Sequence, residues 1–289
     1  MMEVRLNTHG EDKLSTLTMI SDEKGFSVAS VLVMGKHDCV LIDCQWTRSN
    51  IYRVIAEIAE TNLNLTAVFC THAHPDHYWG VGYVHEAFPD AKLYAMAEDI
   101  PVINRQYFDK TEHWEQVVGK VNLCRKLPEL LPLPEDNKIM LEGETIQVLP
   151  KLWGDLKYNT AVWIPSIKTL IGSDILFSNA HPFTCEVSAK GRAKWIAEIE
   201  GLEKLGAEVV IPGHAKHGEP FDGRSLTFTK DYLVATEEEL ANTTDMKEFF
   251  YNMCMRFPTA ILIFLSNDMN SSVFLGGREW NWSDMDDDD

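Results

Sequence analysis

The sequence predicts an α/β protein, a four-layer αββα sandwich in which two packed sheets, one per half of the chain, carry helices on their outer faces. Three observations carry that expectation. Short apolar runs rich in branched residues recur in both halves with turn clusters between them. Stretches with helical spacing punctuate those runs. No window of the 289 residues reaches the roughly 18 consecutive apolar residues that a membrane span requires, and the longest candidate, TAILIFL at 259–265, is only core-sized.

Taken in order, residues 26–43, FSVASVLVMGKHDCVLID, read as two strands joined at Gly35–Asp38. NIYRVIAEIAETN follows with Ile51, Val54, Ile55 and Ile58 at helical spacing, and LTAVFCTH returns to strand. In the second half ETIQVLPKLW, TAVWIPSI, KTLIGSD and AEVVIPGH read as strands, while GRAKWIAEIEGLEKLG is an amphipathic helix that Gly206 closes. Residues 97–135 read as a helical and then proline-rich insertion, and 226–256 as two further helices. The apolar run AILIFL reads as strand-like and, with the helices before it, offers a surface for docking on the same chain or on a second copy in a homodimer. With no repeat at a fixed short period and no low-complexity linker, 1–289 reads as one domain with insertions, ending in an acidic tail at 284–289.

Composition bounds the function. Twenty-six basic against forty-four acidic residues give a net charge of −18. A surface of that sign repels phosphate backbones, which disfavours a nucleic-acid partner. The N-terminus lacks a basic stretch followed by an apolar one, and the six cysteines lack C-x-x-C spacing; both fit a cytoplasmic protein with reduced thiols and no membrane association.

The chemistry concentrates in AVFCTHAHPDH. The strand ends near Cys70, and His72, His74, Asp76 and His77 follow on the turn. Four donors in six residues cannot all reach one ion from one short loop, so they suggest two adjacent ions, each completed from elsewhere. His72-Ala73-His74-Pro75-Asp76-His77 resembles the H-x-H-x-D-H signature of the metallo-β-lactamase superfamily. LIGSDILF resembles the strand of that family that ends in a bridging aspartate, here Asp174. VVIPGH resembles the strand that ends in its last histidine, here His214. The resemblance spans about residues 26–220.

One position departs from the family pattern. Where a histidine commonly follows a glycine, this chain reads KLWGDLKYNT, which places Asp155 there, either as a ligand or as an ordinary Gly-Asp turn. The resemblance then implies His72, His74 and Asp155 at a first metal and Asp76, His77 and His214 at a second, with Asp174 bridging. With a third carboxylate the two divalent ions retain less positive charge, and the first site becomes harder, so manganese or iron is expected beside zinc.

The implied activity is hydrolysis by metal-activated water, with Asp76 and Asp174 as catalytic carboxylates. Neither G-x-S-x-G nor H-E-x-x-H is present. Tyr78, Trp79, Trp153, Tyr158 and Phe183 flank the proposed ligands and form a candidate aromatic rim for a small organic substrate: a lactone, ester, thioester or amide. His181, seven residues past Asp174, reads as a substrate contact, a stand-in for the missing imidazole, or a plain loop histidine. Two other readings remain: a non-haem iron oxygenase built on His72, His74 and a carboxylate, and a catalytically weak binding protein on the same fold.

Overall fold

The computed structural model describes residues 1–10 and 12–279; the acidic tail lies outside the described residues. The chain divides into two compact units, Met1–Leu149 with Val162–Lys168, and Pro150–Ala161 with the chain from Thr169 onward. The described residues carry two sheets, of seven and five strands, and helices, as the sequence pattern predicts.

The first unit opens with β1 (Glu3–Asn7) and β2 (Ser15–Ile20), followed by β3 (Ala29–Met34), β4 (Asp38–Ile42), α1 (Arg48–Thr61), β5 (Asn64–Cys70), α2 (Pro75–Tyr78), α3 (Val81–Ala87), β6 (Lys92–Ala95), α4 (Asp99–Val118) and β7 (Leu131–Pro132). Its seven strands pair in sequence order. β1 to β4 run antiparallel, with Val31 opposite Ile42, and β4 to β7 run parallel, with Ile42 opposite Phe69. The change of sense follows from the connections, since a tight turn joins β3 to β4 whereas α1 carries the chain from β4 back to start β5.

α1 forms where Thr47 accepts a hydrogen bond from the Asn50 backbone N–H at 3.4 Å, and it ends at Asn62, whose φ of 57° places it in the left-handed region. It buries Ile51, Val54 and Ile58, three of the four residues whose spacing predicts it. β3 is buried at every position and β4 at all but Asp38, as continuous apolar strands in the middle of a covered sheet must be. The unit also holds β8 (Lys138–Leu141), which pairs antiparallel with the first part of β9 (Glu144–Leu152) across a Glu142-Gly143 turn. The chain passes between the units within β9 and again within β10 (Asn159–Ile164).

In the second unit β11 (Thr169–Ser178) and β12 (Val209–Ala215) are parallel neighbours joined through α5 (Ala189–Glu203). Ser188 caps α5 by accepting from the Gly191 N–H at 3.1 Å, and Gly206, at φ 63°, ends the turn that follows it. α6 (Arg224–Asn242) and α7 (Met246–Arg256) are the two further helices of 226–256, and α8 (Asp268–Phe274) follows them. Tyr232, Ala235, Phe249 and Met253 form the buried seam between α6 and α7.

The run at 259–265 departs from its strand-like reading. Ile261 makes a single bridge to Ala180, Leu262 turns into the left-handed region at φ 64°, and Ile263–Asn267 form a π-helical turn. The Asn267 amide secures that turn by donating to the Phe250 carbonyl at 3.0 Å. No helix among the described residues is long and apolar enough to cross a membrane.

Candidate metal centre

In the first unit, β5 carries the chain into the sheet interior and stops at Cys70, leaving Thr71 to His74 as an extended turn before Pro75 opens α2. Proline suits that first helical position because its missing N–H has no partner to lose there. α2 places Asp76 and His77 on one short rigid turn. His72 and His77 are fully buried, His74 and Asp76 nearly so. Ring centroids lie 4.9 Å apart for His72 and His74 and 4.2 Å apart for His72 and His77, and His77 Nε2 lies 3.8 Å from Asp76 Oδ2. The four donors of the motif thus form one cluster.

Asp43, which sequence reasoning missed, orders that cluster. It sits just past β4 and is itself buried. Its carboxylate accepts from the Thr71 N–H at 2.8 Å, from the Thr71 hydroxyl at 2.9 Å and from His77 Nδ1 at 2.7 Å. An ionised carboxylate only accepts, so His77 carries its proton on Nδ1 and keeps a lone pair on Nε2. The Thr71 hydroxyl donates to Asp43, so its oxygen accepts from His72 Nδ1 at 3.0 Å, which fixes the same tautomer in His72. One carboxylate therefore leaves Nε2 as the nitrogen able to ligate in two imidazoles. Burial pushes the Asp43 carboxyl up, against the opposing pull of His77 and Thr71. The sequence signal was slight: an aspartate closing the apolar run CVLID.

The insertion also reaches this cluster. Lys110, buried on α4, donates to the Ala73 carbonyl at 3.3 Å and so ties the helix to the H-x-H turn. Gly80, at the start of α3, admits the chain close to the Cys44 carbonyl, which a Cβ there would approach to 2.0 Å.

In the second unit Asp155, Asp174 and His214 gather. The Asp155 N–H donates to the Asp174 carbonyl at 3.1 Å, and the Asn159 amide donates to Asp155 Oδ1 at 3.0 Å. His214 Nε2 lies 3.1 Å from Asp174 Oδ2, and its ring stacks on Phe177 with centroids 5.2 Å apart. All three are buried. Gly213 is required here, since a Cβ would meet Asp174 Oδ1 at 2.1 Å. Asn159 was also missed, although its place four residues after Asp155 was open to reading.

The other candidates lie as follows. Tyr78 and Trp79 are fully buried, Trp79 against Trp46 and Tyr107 with centroids 6.2 and 6.0 Å away. Burial drives the Tyr78 hydroxyl well above its ordinary range, so it stays protonated. Trp153 and Phe183 are half-buried and Tyr158 is exposed. Lys194 lies over the Trp153 ring at 4.4 Å, and Lys157 over Tyr158 at 5.1 Å. His181 is fully buried, with its pKa lowered by burial to about 4.

Buried imidazoles and carboxylates, with two of the imidazoles held as Nε2 ligands, are the donor chemistry of divalent zinc, manganese or iron, so the residues fit the group their spacing implies. Comparison with known proteins agrees. Residues 24–214 match the sequence profile of the metallo-beta-lactamase superfamily. Among solved structures, a metallo-beta-lactamase family protein from Thermus thermophilus shares 18% identity at a TM-score of 0.64, covering 91% of this chain and 93% of its own. A metallo-beta-lactamase from Pontibacter korlensis shares 19% at 0.61, covering 81% and 99%. The metallo-beta-lactamase FIM-1 from Pseudomonas aeruginosa, solved in a mono-zinc form, shares 14% at 0.56, covering 80% and 95%. At these identities the likeness is one of fold. No curated protein matches the chain.

Proposed function

We propose, from the premise that this chain belongs to the metallo-β-lactamase superfamily, that it is a dinuclear metallo-hydrolase acting on a small organic substrate with an activated carbonyl: a lactone, ester, thioester or amide. The observation that carries the reading is the pair of buried donor sets, one ordered by Asp43 and the other assembled from Asp155, Asp174 and His214. On the pattern that the family resemblance implies, His72, His74 and Asp155 would hold one ion and Asp76, His77 and His214 the other, with Asp174 shared. Zinc suits the imidazoles, and the added carboxylate of Asp155 opens the first position to manganese or iron.

When bound, such ions supply Lewis acidity to a carbonyl oxygen and lower the pKa of a water. The residues of the chain do the rest. Asp43 and Thr71 hold two imidazoles in the ligating tautomer, and Asn159 holds the Asp155 carboxylate; Asp76, besides ligating, would orient the attacking water. The net charge of −18 supports a small substrate over a polyanionic one.

Metal analysis of the wild type beside Asp155→Ala and Asp155→His, coupled to hydrolysis of a panel of lactones, esters and thioesters, tests this. Two ions in the wild type, one in Asp155→Ala, and a loss of hydrolysis of about 100-fold or more are expected. A wild type that holds a single iron and consumes oxygen on substrate addition would replace the hydrolase with an oxygenase. Full metal occupancy in Asp155→Ala would reduce Asp155 to a turn residue.

A further inference from the structure

His181 stands three residues beyond the end of β11, the strand that carries Asp174. β11 and β12 finish together, with Phe177 opposite His214 and Ser178 opposite Ala215, so the His181 loop leaves the sheet beside the His214 strand end. Its imidazole is fully buried, and among the described residues Nε2 has no hydrogen-bond partner while Nδ1 lies 2.9 Å from the Tyr232 hydroxyl. A buried polar atom left without a partner costs free energy that a fold rarely concedes without use.

The backbone N–H groups of Thr184 and Cys185 donate to Asn270 Oδ1 at 2.9 and 3.1 Å, which fixes the orientation of that amide. Its nitrogen then donates to the Pro182 carbonyl at 2.9 Å, which holds the loop that follows His181. The Tyr232 hydroxyl is buried and meets His181 Nδ1 at 2.9 Å, and it places its own proton in a hydrogen bond by donating to that nitrogen. Nδ1 therefore accepts, and the ring proton sits on Nε2. Burial keeps the ring neutral through the physiological range.

We propose that the His181 Nε2–H is a substrate contact, a fixed neutral donor for an acceptor oxygen of the small organic substrate, strengthened as that oxygen gains negative charge during attack. The donor gives a hydrogen bond and transfers no proton. Its positioning residues, Tyr232 on α6 and Asn270 on α8, lie beyond residue 214, where the family match ends, and the His181 backbone is itself held by the Ile261 carbonyl at 3.0 Å. The C-terminal helices thus act as a clamp that sets one polar group. This inference rests on the hydrolase reading for the identity of the oxygen.

The test uses metal-loaded enzyme in which the histidine nitrogens are labelled with 15N, the His181 signals being assigned by their loss in His181→Leu. Expected are an unprotonated Nδ1, a protonated Nε2, and a shift of the Nε2–H resonance on titration with butyrate, a carboxylate analogue of hydrolysis products. On an alkyl γ-lactone and p-nitrophenyl acetate, His181→Leu should lose about 100-fold in kcat with a smaller change in KM, and His181→Gln, which returns an N–H near the same place, should recover part of it. Tyr232→Phe should leave a mixture of tautomers, a result that mere packing would not produce. It also carries the test if His181→Leu fails to fold. A wild-type ring protonated on Nδ1, or an Nε2–H resonance unmoved by butyrate, overturns the proposal. So does His181→Leu hydrolysis within about twofold of wild type. If no member of the panel is hydrolysed, the proposed substrate class fails, while the butyrate titration still decides His181.

Discussion

Asp43 shows how much of a metal site can rest on a residue that never ligates. It fixes Nε2 as the available nitrogen of His77 directly and of His72 through Thr71, so its charge acts on two donors at once. Asp43→Asn keeps the shape but sets an amide that donates, in one of its two orientations, against a ring N–H that also donates; in the other it loses the Thr71 contact. Metal affinity is expected to fall by about 10- to 100-fold, measured by competition with a chromogenic chelator. Affinity unchanged in that assay would mean that the histidines hold their tautomers without Asp43. The ligands of H-x-H-x-D-H were legible because six consecutive residues contain them. Asp43 was not, because it lies 34 residues before His77 and meets it only once β4 and β5 pair in register. The same holds for Tyr232 and His181, 51 residues apart, where nothing in the local sequence links a helix tyrosine to a loop histidine.

Among the elements, the β3–β4 and β8–β9 hairpins of the first unit are coupled through one side chain. Glu142 and Gly143 both have positive φ, the mirror-image turn that matches strand twist, and Glu142 reaches from there to accept the N–H groups of Lys36, His37 and Asp38 at 2.9, 2.6 and 2.9 Å. Gly35 leaves room for it, since a Cβ there would meet the carboxylate at 2.6 Å. Those three donors lower the Glu142 pKa to about 2 from an ordinary 4.5. A carboxyl depressed in the fold contributes stability that is present above about pH 4.5 and is lost as pH falls toward 2. Glu142→Gln should therefore be less stable than wild type at neutral pH, and the two urea midpoints should converge at the acid end. A constant offset across that range would show that the ionised carboxylate is not the cause. The hairpin at 26–43 and α1 were legible because their apolar periods are long and clean. β1 and β2 were passed over because EVRLN and STLTMI alternate too briefly against polar neighbours. The 259–265 run misled because an apolar stretch of seven residues fits a strand or a buried helical turn equally well, and the left-handed Leu262 that decides between them has no sequence signature.

At the scale of the whole molecule, the chain carries a net charge of −18, and Asp76, Asp155 and Asp174 are each buried. Buried carboxylates repel one another unless cations offset them, so the metals of the proposed centre would contribute to folding as well as to chemistry. Chelation should therefore lower the thermal midpoint, and reloading should restore it. Each ion at a free concentration about 100 times its Kd adds roughly 2.7 kcal/mol, which for a protein of this size moves the midpoint by about 4–5 °C. Calorimetry of chelated and reloaded protein at one ionic strength measures this, and the fixed ionic strength separates site binding from general screening of the negative surface. If the metal content changes while the midpoint stays within about 1 °C, the buried carboxylates are neutralised by protons rather than by ions. Asp155 separates the two explanations further. As a ligand its loss removes one negative charge together with one ion, so Asp155→Ala should abolish the part of the reloading shift that belongs to the first ion and leave the second ion's part intact.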